Sequence, residues 1–155
     1  MVKRIMTFVL IYFCFNAFGN NKLLLNSIEK RTAEYSKIAK NIWEYAEVGY
    51  KEEKSSKELI NLLEKNGFKI NKGVAGIPTA FVAEYNRGGS VIGILGEYDA
   101  LPGLSQTTST KKTKREGTNS GHACGHNLFG VASAAAAISI NCLLYTSDAA
   151  DDSGC

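Results

Sequence analysis

Apolar residues recur at helical spacing in the first half of the chain. Between residues 22 and 46 they are separated by three, four and seven positions, which places them on one face of a helix. The same pattern predicts a second helix from Glu52 to Asn66. Gly67 suits the position just after its last turn, where the backbone often becomes left-handed. Each helix has one apolar face and therefore needs another layer to pack against.

Shorter runs with the composition of β-strands follow the two helices. Phe68–Asn71 alternates between apolar and polar residues, and Thr79–Tyr85 is rich in β-branched and aromatic residues. Val91–Leu95 is apolar on both faces, which predicts a buried central strand. Leu128–Ile140 is rich in alanine and almost wholly apolar, which predicts a buried helix packed closely on the sheet. Helices that alternate with strands predict an α/β fold.

The start of the chain has the pattern of a secretory leader. A basic segment precedes an apolar run from Ile5 to Phe18, which is shorter than the roughly 20 apolar residues that a membrane-spanning helix needs. Small residues at Ala17 and Gly19 predict cleavage after Gly19. Residues 1–19 are therefore predicted to be a signal peptide, with the mature protein periplasmic or secreted. The alternatives are an uncleaved anchor or a buried first helix, and a cytoplasmic location is expected if the segment is not a leader.

The end of the chain differs in character from the part before it. The small-residue helix pattern runs to Ile140 and is predicted to stop there without a capping residue. Residues 142–155 resemble the translated read-through of a sequencing adapter, and such segments are excluded from fold reasoning. The alternative is an ordinary acidic terminus. The predicted organisation is a leader, an incomplete domain over residues 20–141, and a non-native tail over residues 142–155.

Composition narrows the possible classes of protein. Hydrophobic residues make up 45% of the chain and charged residues 21%, so wholesale disorder is excluded. A net charge of +3 is too small to indicate a nucleic-acid partner. Four cysteines in 155 residues are too few for a disulfide-rich miniprotein. The basic run from Lys111 to Arg115 is predicted to be a solvated surface loop.

Two segments contain residue types that can do chemistry. The first, Gly96–Gly103, directly follows the predicted central strand, at the strand end where ligands bind in open α/β sheets. Glu97 and Asp99 are two residues apart, so in an extended chain they share a face. A carboxylate at this place can bind a metal, act as a base or orient a ligand. The alternative is a solvated strand end.

The second segment, Gly121–Asn127, contains both histidines of the chain. Cys124 and His126 are also two residues apart, so a thiolate and an imidazole can converge in an extended turn, a pair that suits zinc or a similar transition metal. The predicted helix begins just after them, and its dipole would stabilise the thiolate. The alternatives are a buried structural cysteine, a disulfide, or a nucleophilic Cys–His pair. Two ligands do not complete a site, because catalytic zinc takes about three protein ligands and a water molecule.

These segments carry a resemblance to a known family. Together with Ile42–Tyr50 and Gly76–Ala80, the stretches Gly96–Gln106 and Gly121–Leu128 resemble the start of a peptidase family M20 amidohydrolase, in its dipeptidase-like branch. The similarity extends from about Lys22 to Ile140. The resemblance implies the N-terminal part of a zinc-exopeptidase-like catalytic domain, with a mixed sheet flanked by helices.

The resemblance also implies roles for individual residues. Cys124 and His126 match two metal ligands of this branch, and Asp99 matches the catalytic-centre aspartate, which would orient a ligand imidazole. Glu97 stands where many members have Asp, so its role is left open. Asn127 stands where other branches have Asp. The family's general base and its other ligands would lie beyond Ile140.

The function implied is metal-assisted hydrolysis of an amide bond. The resemblance implies a divalent metal cofactor (zinc, manganese or cobalt, with two ions in the full-length protein) and substrates that are N-acyl amino acids, aminobenzoyl-glutamate-like compounds or dipeptides. It further implies a homodimer when full length, and no nucleic-acid or membrane partner after leader removal. Two alternatives stay open: a binding or regulatory protein that kept the scaffold without catalysis, and a thiol enzyme that uses Cys124. The fragment alone is expected to be unstable and inactive.

Overall fold

The structure is a computed structural model that describes residues 22–86 and 88–148, with side chains through residue 143. The predicted signal peptide over residues 1–19 and the end of the predicted tail lie outside these ranges, so both stay predictions. The chain divides into two compact units, a larger one of Ala33–Ile138 and a smaller one formed by the described residues on either side of it. In the smaller unit, the Ser27 hydroxyl lies 2.8 Å from the Leu24 carbonyl and 3.1 Å from the Ser139 hydroxyl.

Helices are the longest elements of the described chain. They are α1 (residues 22–29), α2 (Thr32–Tyr45), α3 (Glu53–Lys65) and α4 (His126–Asp148), and a short 3-10 helix spans Val74–Gly76. The single helix predicted over residues 22–46 is interrupted by a turn at residues 30–31. The second predicted helix is confirmed, and Gly67 after it has a φ of 83°, which fits its predicted place beyond the last turn.

The strands are short and form two antiparallel pairs. They are β1 (Lys69–Lys72), β2 (Phe81–Glu84), β3 (Leu101–Pro102) and β4 (Ser120–Gly121). β1 pairs with β2, with Ile70 opposite Ala83, and β3 pairs with β4, with Leu101 opposite Gly121. Val48 and Ala100 form an isolated parallel bridge. Helices combined with small sheets are consistent with the predicted α/β class, as an incomplete part of such a domain.

The core of the larger unit lies among its helices. The apolar positions of α2 and α3 fall three and four residues apart, so each helix buries one face. The buried apolar residues are Tyr35, Ile38, Ala39, Ile42, Ala46, Leu59, Ile60, Leu62, Leu63, Phe68, Ala100, Val131, Ala134, Ala135 and Ile138. Four of them belong to α4, which brings that helix against the others. The start of α4 is thereby fixed, and this is where the second candidate segment ends.

The prediction of a buried central strand over Val91–Leu95 is wrong. These residues form no strand, and the exposed fraction of Val91 is 96% and that of Leu95 is 72%. A strand that is apolar on both faces needs neighbours at its edges and covers over both faces. Among residues 22–86 and 88–148, no segment pairs with it in a ladder. The apolar pattern therefore identifies a segment suited to burial, without the strands that would bury it.

The predicted end of the last helix is also wrong. α4 continues to Asp148, eight residues past Ile140, so the pattern change at residues 140–142 does not end the helix. Its stretch His126–Leu143 is long and apolar enough to cross a membrane by length and composition. Core helices of soluble proteins have the same property. Val131, Ala134, Ala135 and Ile138 of α4 are buried, whereas Leu128 and Phe129 are exposed, so the predicted burial of this helix holds for only one part of its surface.

Candidate metal centre

The first candidate segment is held against α4 by close backbone contact. The Ser133 hydroxyl of α4 donates a hydrogen bond to the Leu95 carbonyl at 2.6 Å. A methyl group at Gly130 would lie 2.8 Å from the Glu97 carbonyl oxygen, and one at Gly96 would lie 3.1 Å from Cβ of Ser133. Glycine at these two positions is therefore what allows the helix and the segment to approach so closely. Glu97 consequently lies beside the first turns of α4.

Tyr98 fixes the orientation of the segment. Its hydroxyl donates to the Thr79 carbonyl at 2.6 Å, and its ring stacks on Phe81 with 6.0 Å between the centroids. Burial, with a smaller contribution from the charge of Glu52, raises the pKa of Tyr98 to about 12. Neighbouring side chains of an extended chain point to opposite faces. Because Tyr98 is held on one face, Glu97 and Asp99 are directed to the other.

The residue after Asp99 is fixed as well. The backbone N–H of Ala100 donates to the Glu47 carbonyl at 2.7 Å, and Ala100 is almost completely buried. Glu47 in turn caps the start of α3, because its carboxylate accepts hydrogen bonds from the Ser55 N–H at 2.8 Å and the Ser55 hydroxyl at 2.7 Å. These contacts link the segment that bears Asp99 to the start of a core helix.

The second candidate segment is tied to the C-terminal end of α2. The Ser120 hydroxyl donates to the Ala46 carbonyl, and His122 Nε2 donates to the Ile42 carbonyl at 3.0 Å. His122 therefore carries its proton on Nε2, and burial lowers its pKa. Its Nδ1 is buried and has no hydrogen-bond partner among the described residues. His122 thus positions the turn and lies outside the group of side chains around His126.

Arg115 corrects the prediction that the basic run is wholly solvated. Its guanidinium donates to the carbonyls of Trp43 and Glu44, both at 2.9 Å, and lies 4.2 Å from the centre of the Trp43 ring. A cation at these carbonyls suits the negative end of the dipole of α2. The lysines of the run are exposed, as predicted. Arg115 anchors the loop that leads to β4 and to the turn before His126.

The two candidate segments meet at His126. Its Nε2 lies 2.8 Å from Oε2 of Glu97, and its Nδ1 lies 2.7 Å from Oδ1 of Asp99. The three side chains form a group whose ligand atoms all lie within 4.8 Å of one another. His126 is the first residue of α4, directly after Gly125, whose φ of 83° turns the chain into the helix. The expectation that Glu97 and Asp99 share a face is confirmed, since both contact the same imidazole.

Cys124 does not belong to this group. It is a free, exposed cysteine two residues before α4, and its sulfur is not part of the group formed by Glu97, Asp99 and His126. Its predicted role as a metal ligand stays a prediction. Asn127, the residue after His126, is buried, and its side-chain amide donates to the Ala39 carbonyl at 3.2 Å. Asn127 therefore fixes α4 on α2 rather than facing the group.

Sequence reasoning missed the parts played by Tyr98 and Glu97. Tyr98 stands between Glu97 and Asp99 in an extended segment, where successive side chains point to opposite faces. This position is the sequence signal that Tyr98 anchors the face opposite the two carboxylates. The residue pattern gives Glu97 no definite role, although Glu97 shares the spacing of Asp99. The structure assigns Glu97 a contact as short as that of Asp99.

The donor set fits a divalent transition metal. An imidazole that donates one N–H to a carboxylate and offers its other nitrogen is the usual arrangement of histidine ligands in metal sites, because the carboxylate fixes the ring and its tautomer. Here Asp99 contacts Nδ1 of His126, and a second carboxylate lies at Nε2. Nitrogen and oxygen donors of this kind suit zinc, manganese or cobalt.

Comparison with known proteins gives relatives of one kind. The chain is 42% identical over 116 residues to a p-aminobenzoyl-glutamate hydrolase subunit of Escherichia coli (strain K12), a match that covers 74% of this chain and 24% of that protein. It is 37% identical over 92 residues to thermostable carboxypeptidase 1 of Saccharolobus solfataricus, which covers 58% of this chain and 23% of that protein. No family model matches the chain.

A mammalian relative points the same way. Xaa-Arg dipeptidase of Mus musculus is 31% identical over 127 residues, which covers 76% of this chain and 26% of that protein. The hydrolase, the carboxypeptidase and the dipeptidase are all M20-family peptidases. The matched part of the chain belongs to the M20 peptidase family. The chain spans about a quarter of the length of these M20 relatives.

The M20 assignment confirms the family resemblance seen in the sequence. All three relatives are named for hydrolytic activities. Among the residues that the structure describes, Glu97, Asp99 and His126 form the group that could hold a metal ion, and His126 lies at the start of a core helix.

Proposed function

We propose that the complete protein hydrolyses an amide bond with the help of a divalent metal held at His126. The observation that carries this proposal is the position of His126 between two carboxylates, with Asp99 at Nδ1 and Glu97 at Nε2, in a chain homologous to M20 peptidases. Exposure to solvent alone does not account for two carboxylates at hydrogen-bond distance from one histidine. A carboxylate is one of the usual partners that orient the ring of a metal-ligating histidine.

The chain's own residues supply the binding and orientation of the metal. His126 offers a ring nitrogen, Asp99 holds the ring, and Tyr98 holds the segment that bears Asp99. Cys124 is the predicted thiolate ligand. A divalent metal bound here would supply an acidified water molecule and polarise the amide carbonyl. The general base that takes a proton from that water belongs to the residues that the resemblance places beyond Ile140.

The substrate class follows from the names of the relatives. An aminobenzoyl-glutamate hydrolase subunit, a carboxypeptidase and an Xaa-Arg dipeptidase all act on an amide bond next to an amino acid. We therefore assign N-acyl amino acids, aminobenzoyl-glutamate-like compounds and dipeptides as the substrates to test. One of these relatives is named as a subunit, so a partner chain is part of the same proposal.

The test is metal-dependent turnover by the protein translated from the complete reading frame, called the complete protein below. It is stripped of metal by chelation, reloaded with zinc, manganese or cobalt, and assayed on a panel of these compounds. We expect turnover only after reloading, and loss of at least about 100-fold in His126→Ala, because loss of a metal ligand removes the activated water. Glu84→Gln, at an exposed strand position, is the matched control and should keep wild-type turnover.

Two results would contradict the proposal. Absence of metal-dependent turnover across the whole panel would favour a binding or regulatory role. Full activity after chelation, combined with loss of activity on alkylation of Cys124, would favour a thiol enzyme instead.

A further inference from the structure

We infer that Glu97 binds the metal directly through its carboxylate, whereas Asp99 acts as a positioning residue that orients His126. This inference rests on the proposed function, since it assigns separate roles to two carboxylates of the same site. Both residues contact His126 at similar distances, so proximity does not separate them. The separation comes from which ring nitrogen each contacts and from how each side chain is held.

The two nitrogens of an imidazole cannot both bind one ion. When one nitrogen binds a metal, the other keeps its proton and donates it to an orienting group. Asp99 Oδ1 accepts at Nδ1 of His126, at 2.7 Å. The nitrogen left for an ion is Nε2, and the oxygen that faces it is Oε2 of Glu97, at 2.8 Å.

The distance from Nε2 to Glu97 is close to the separation of two ligands on one ion. Bonds of about 2.0–2.1 Å to nitrogen and about 2.0–2.2 Å to oxygen place two tetrahedral ligands about 3.4 Å apart. The 2.8 Å between Nε2 and Oε2 would therefore need to widen by about 0.6 Å for zinc. Binding of one ion by both atoms would require only this small displacement of the two side chains.

The two side chains differ in their ability to make such a displacement. Glu97 is about half exposed and has two methylene groups between its carboxylate and its backbone. Asp99 has a shorter side chain and is followed by Ala100, which is buried and hydrogen-bonded to Glu47. The longer and more exposed Glu97 side chain is therefore better suited to move when an ion binds. The shorter Asp99 side chain, on a fixed backbone, is better suited to hold the His126 ring in one orientation.

This assignment gives Glu97 one of the roles that the residue pattern left open. Catalytic zinc takes about three protein ligands and a water molecule. His126 and Glu97 are brought together by the structure, and Cys124 stays the predicted third ligand on the same turn. The oxygen donor also makes the site more accommodating to manganese, which prefers carboxylate to thiolate.

The test measures cobalt binding by the metal-free complete protein, with no activity assay involved. Wild type, Glu97→Gln, Asp99→Asn and the control Glu84→Gln are titrated with cobalt, while visible absorption bands report the ligand set and calorimetry gives the affinity. Glu97→Gln is expected to change the position and intensity of the cobalt bands and to weaken binding by more than about 100-fold, since an outer-shell change costs roughly 10–100-fold. Asp99→Asn is expected to weaken binding within that range and to leave the bands in place.

Each outcome decides the assignment. Unchanged cobalt bands in Glu97→Gln, or changed bands in Asp99→Asn alone, would overturn it and leave the proposed function intact. No cobalt binding by wild type would overturn both. If circular dichroism shows that Glu97→Gln does not fold, Glu97→Asp is measured in the same way. Weaker binding with wild-type bands in that variant supports direct coordination, and unchanged affinity overturns it.

Discussion

At the scale of single residues, the orientation of His126 depends on the two carboxylates that contact its ring. Its ring contacts one carboxylate at each nitrogen, so it is oriented before any ion binds. Residue spacing predicted that Glu97 and Asp99 share a face, because alternation along an extended chain is a local property. Spacing also predicted that Cys124 and His126 converge. A left-handed glycine lies between them and a helix begins at His126, and side-chain direction through such a turn does not follow from spacing, so their convergence stays a prediction.

The role of Cys124 leads to a spectroscopic prediction. A thiolate ligand gives an intense thiolate-to-cobalt charge-transfer band, because sulfur is a soft and easily oxidised donor. We expect this band in the cobalt-loaded complete protein and its loss in Cys124→Ser, with weaker cobalt binding. Near-ultraviolet absorption during a cobalt titration measures both. A spectrum without that band in wild type would remove Cys124 from the ligand set and leave His126 and Glu97 as the ligands from this part of the chain.

Tyr98 leads to a prediction about alkaline pH. Its pKa in the folded chain is raised to about 12 from the ordinary 10.0, so between these values the unfolded chain has released a proton that the folded chain retains. Rising pH therefore favours unfolding. The contribution is complete below pH 10.0 and is lost as the pH rises toward 12. We expect the free energy of unfolding of the complete protein to fall more steeply above pH 10.0 in wild type than in Tyr98→Phe.

Urea unfolding between pH 10.0 and about 12 measures the difference in slope between wild type and Tyr98→Phe. At neutral pH, Tyr98→Phe should cost about 0.5–1.5 kcal/mol, because it removes the hydrogen bond to the Thr79 carbonyl. Tyr50→Phe, at an exposed tyrosine, is the matched control and should cost nothing at neutral pH. Equal alkaline slopes in wild type and Tyr98→Phe would show that the phenol is not the group responsible.

At the scale of secondary-structure elements, α4 holds the site by close approach to the segment before it. Gly130 has no room for a side chain, since an added methyl group would lie 2.8 Å from the Glu97 carbonyl oxygen and 3.2 Å from Tyr98 Cβ. Gly130→Ala is therefore expected to push Glu97 and Tyr98 away from the helix. We expect a loss of about 1–3 kcal/mol in stability, as for other overpacked contacts, together with weaker cobalt binding.

Thermal unfolding and cobalt titration of the complete protein test this prediction. Gly49→Ala is the matched control, because an added methyl group there meets only Glu52 Oε1, at an ordinary contact distance of 4.0 Å, and the residue does not have a positive φ. It should leave cobalt affinity unchanged. Equal cobalt affinity in Gly130→Ala and wild type would mean that the position of Glu97 does not depend on the helix.

The elements differ in how well the sequence predicts them. The prediction for α3 is correct to within a residue at each end, because it has one apolar face and a glycine that ends it, and both signals are local. β1 and β2 lie within the segments Phe68–Asn71 and Thr79–Tyr85 to within a residue, because alternation and β-branched or aromatic content are local signals, whereas their antiparallel pairing was not predicted. The prediction for Val91–Leu95 fails because a hydrophobic run indicates that a segment is suited to burial, but it does not indicate whether the strands that would bury it are present.

At the scale of the whole molecule, the exposed apolar segment and the partial coverage of the relatives point the same way. Val91 and Ile92 are 96% and 69% exposed, and the chain spans about a quarter of its M20 relatives. Exposed apolar residues in a run favour association with other apolar surfaces. We therefore expect the 155-residue chain alone to bind a hydrophobic dye, to unfold without a cooperative thermal transition, and to lack hydrolytic activity.

The comparison that checks this prediction pairs the chain with the complete protein under the same conditions. The complete protein should bind little dye and unfold cooperatively, because the residues absent from the shorter chain would pair with and cover Val91–Leu95. Ile92→Lys adds a second measurement. Residue 92 is exposed in the short chain, so the added charge should be tolerated there. If the segment is buried in the complete protein, the same charge should destabilise that protein by several kcal/mol. Cooperative unfolding and turnover by the 155-residue chain would contradict the prediction, and equal stability of the complete protein with and without Ile92→Lys would show that the segment is exposed in both.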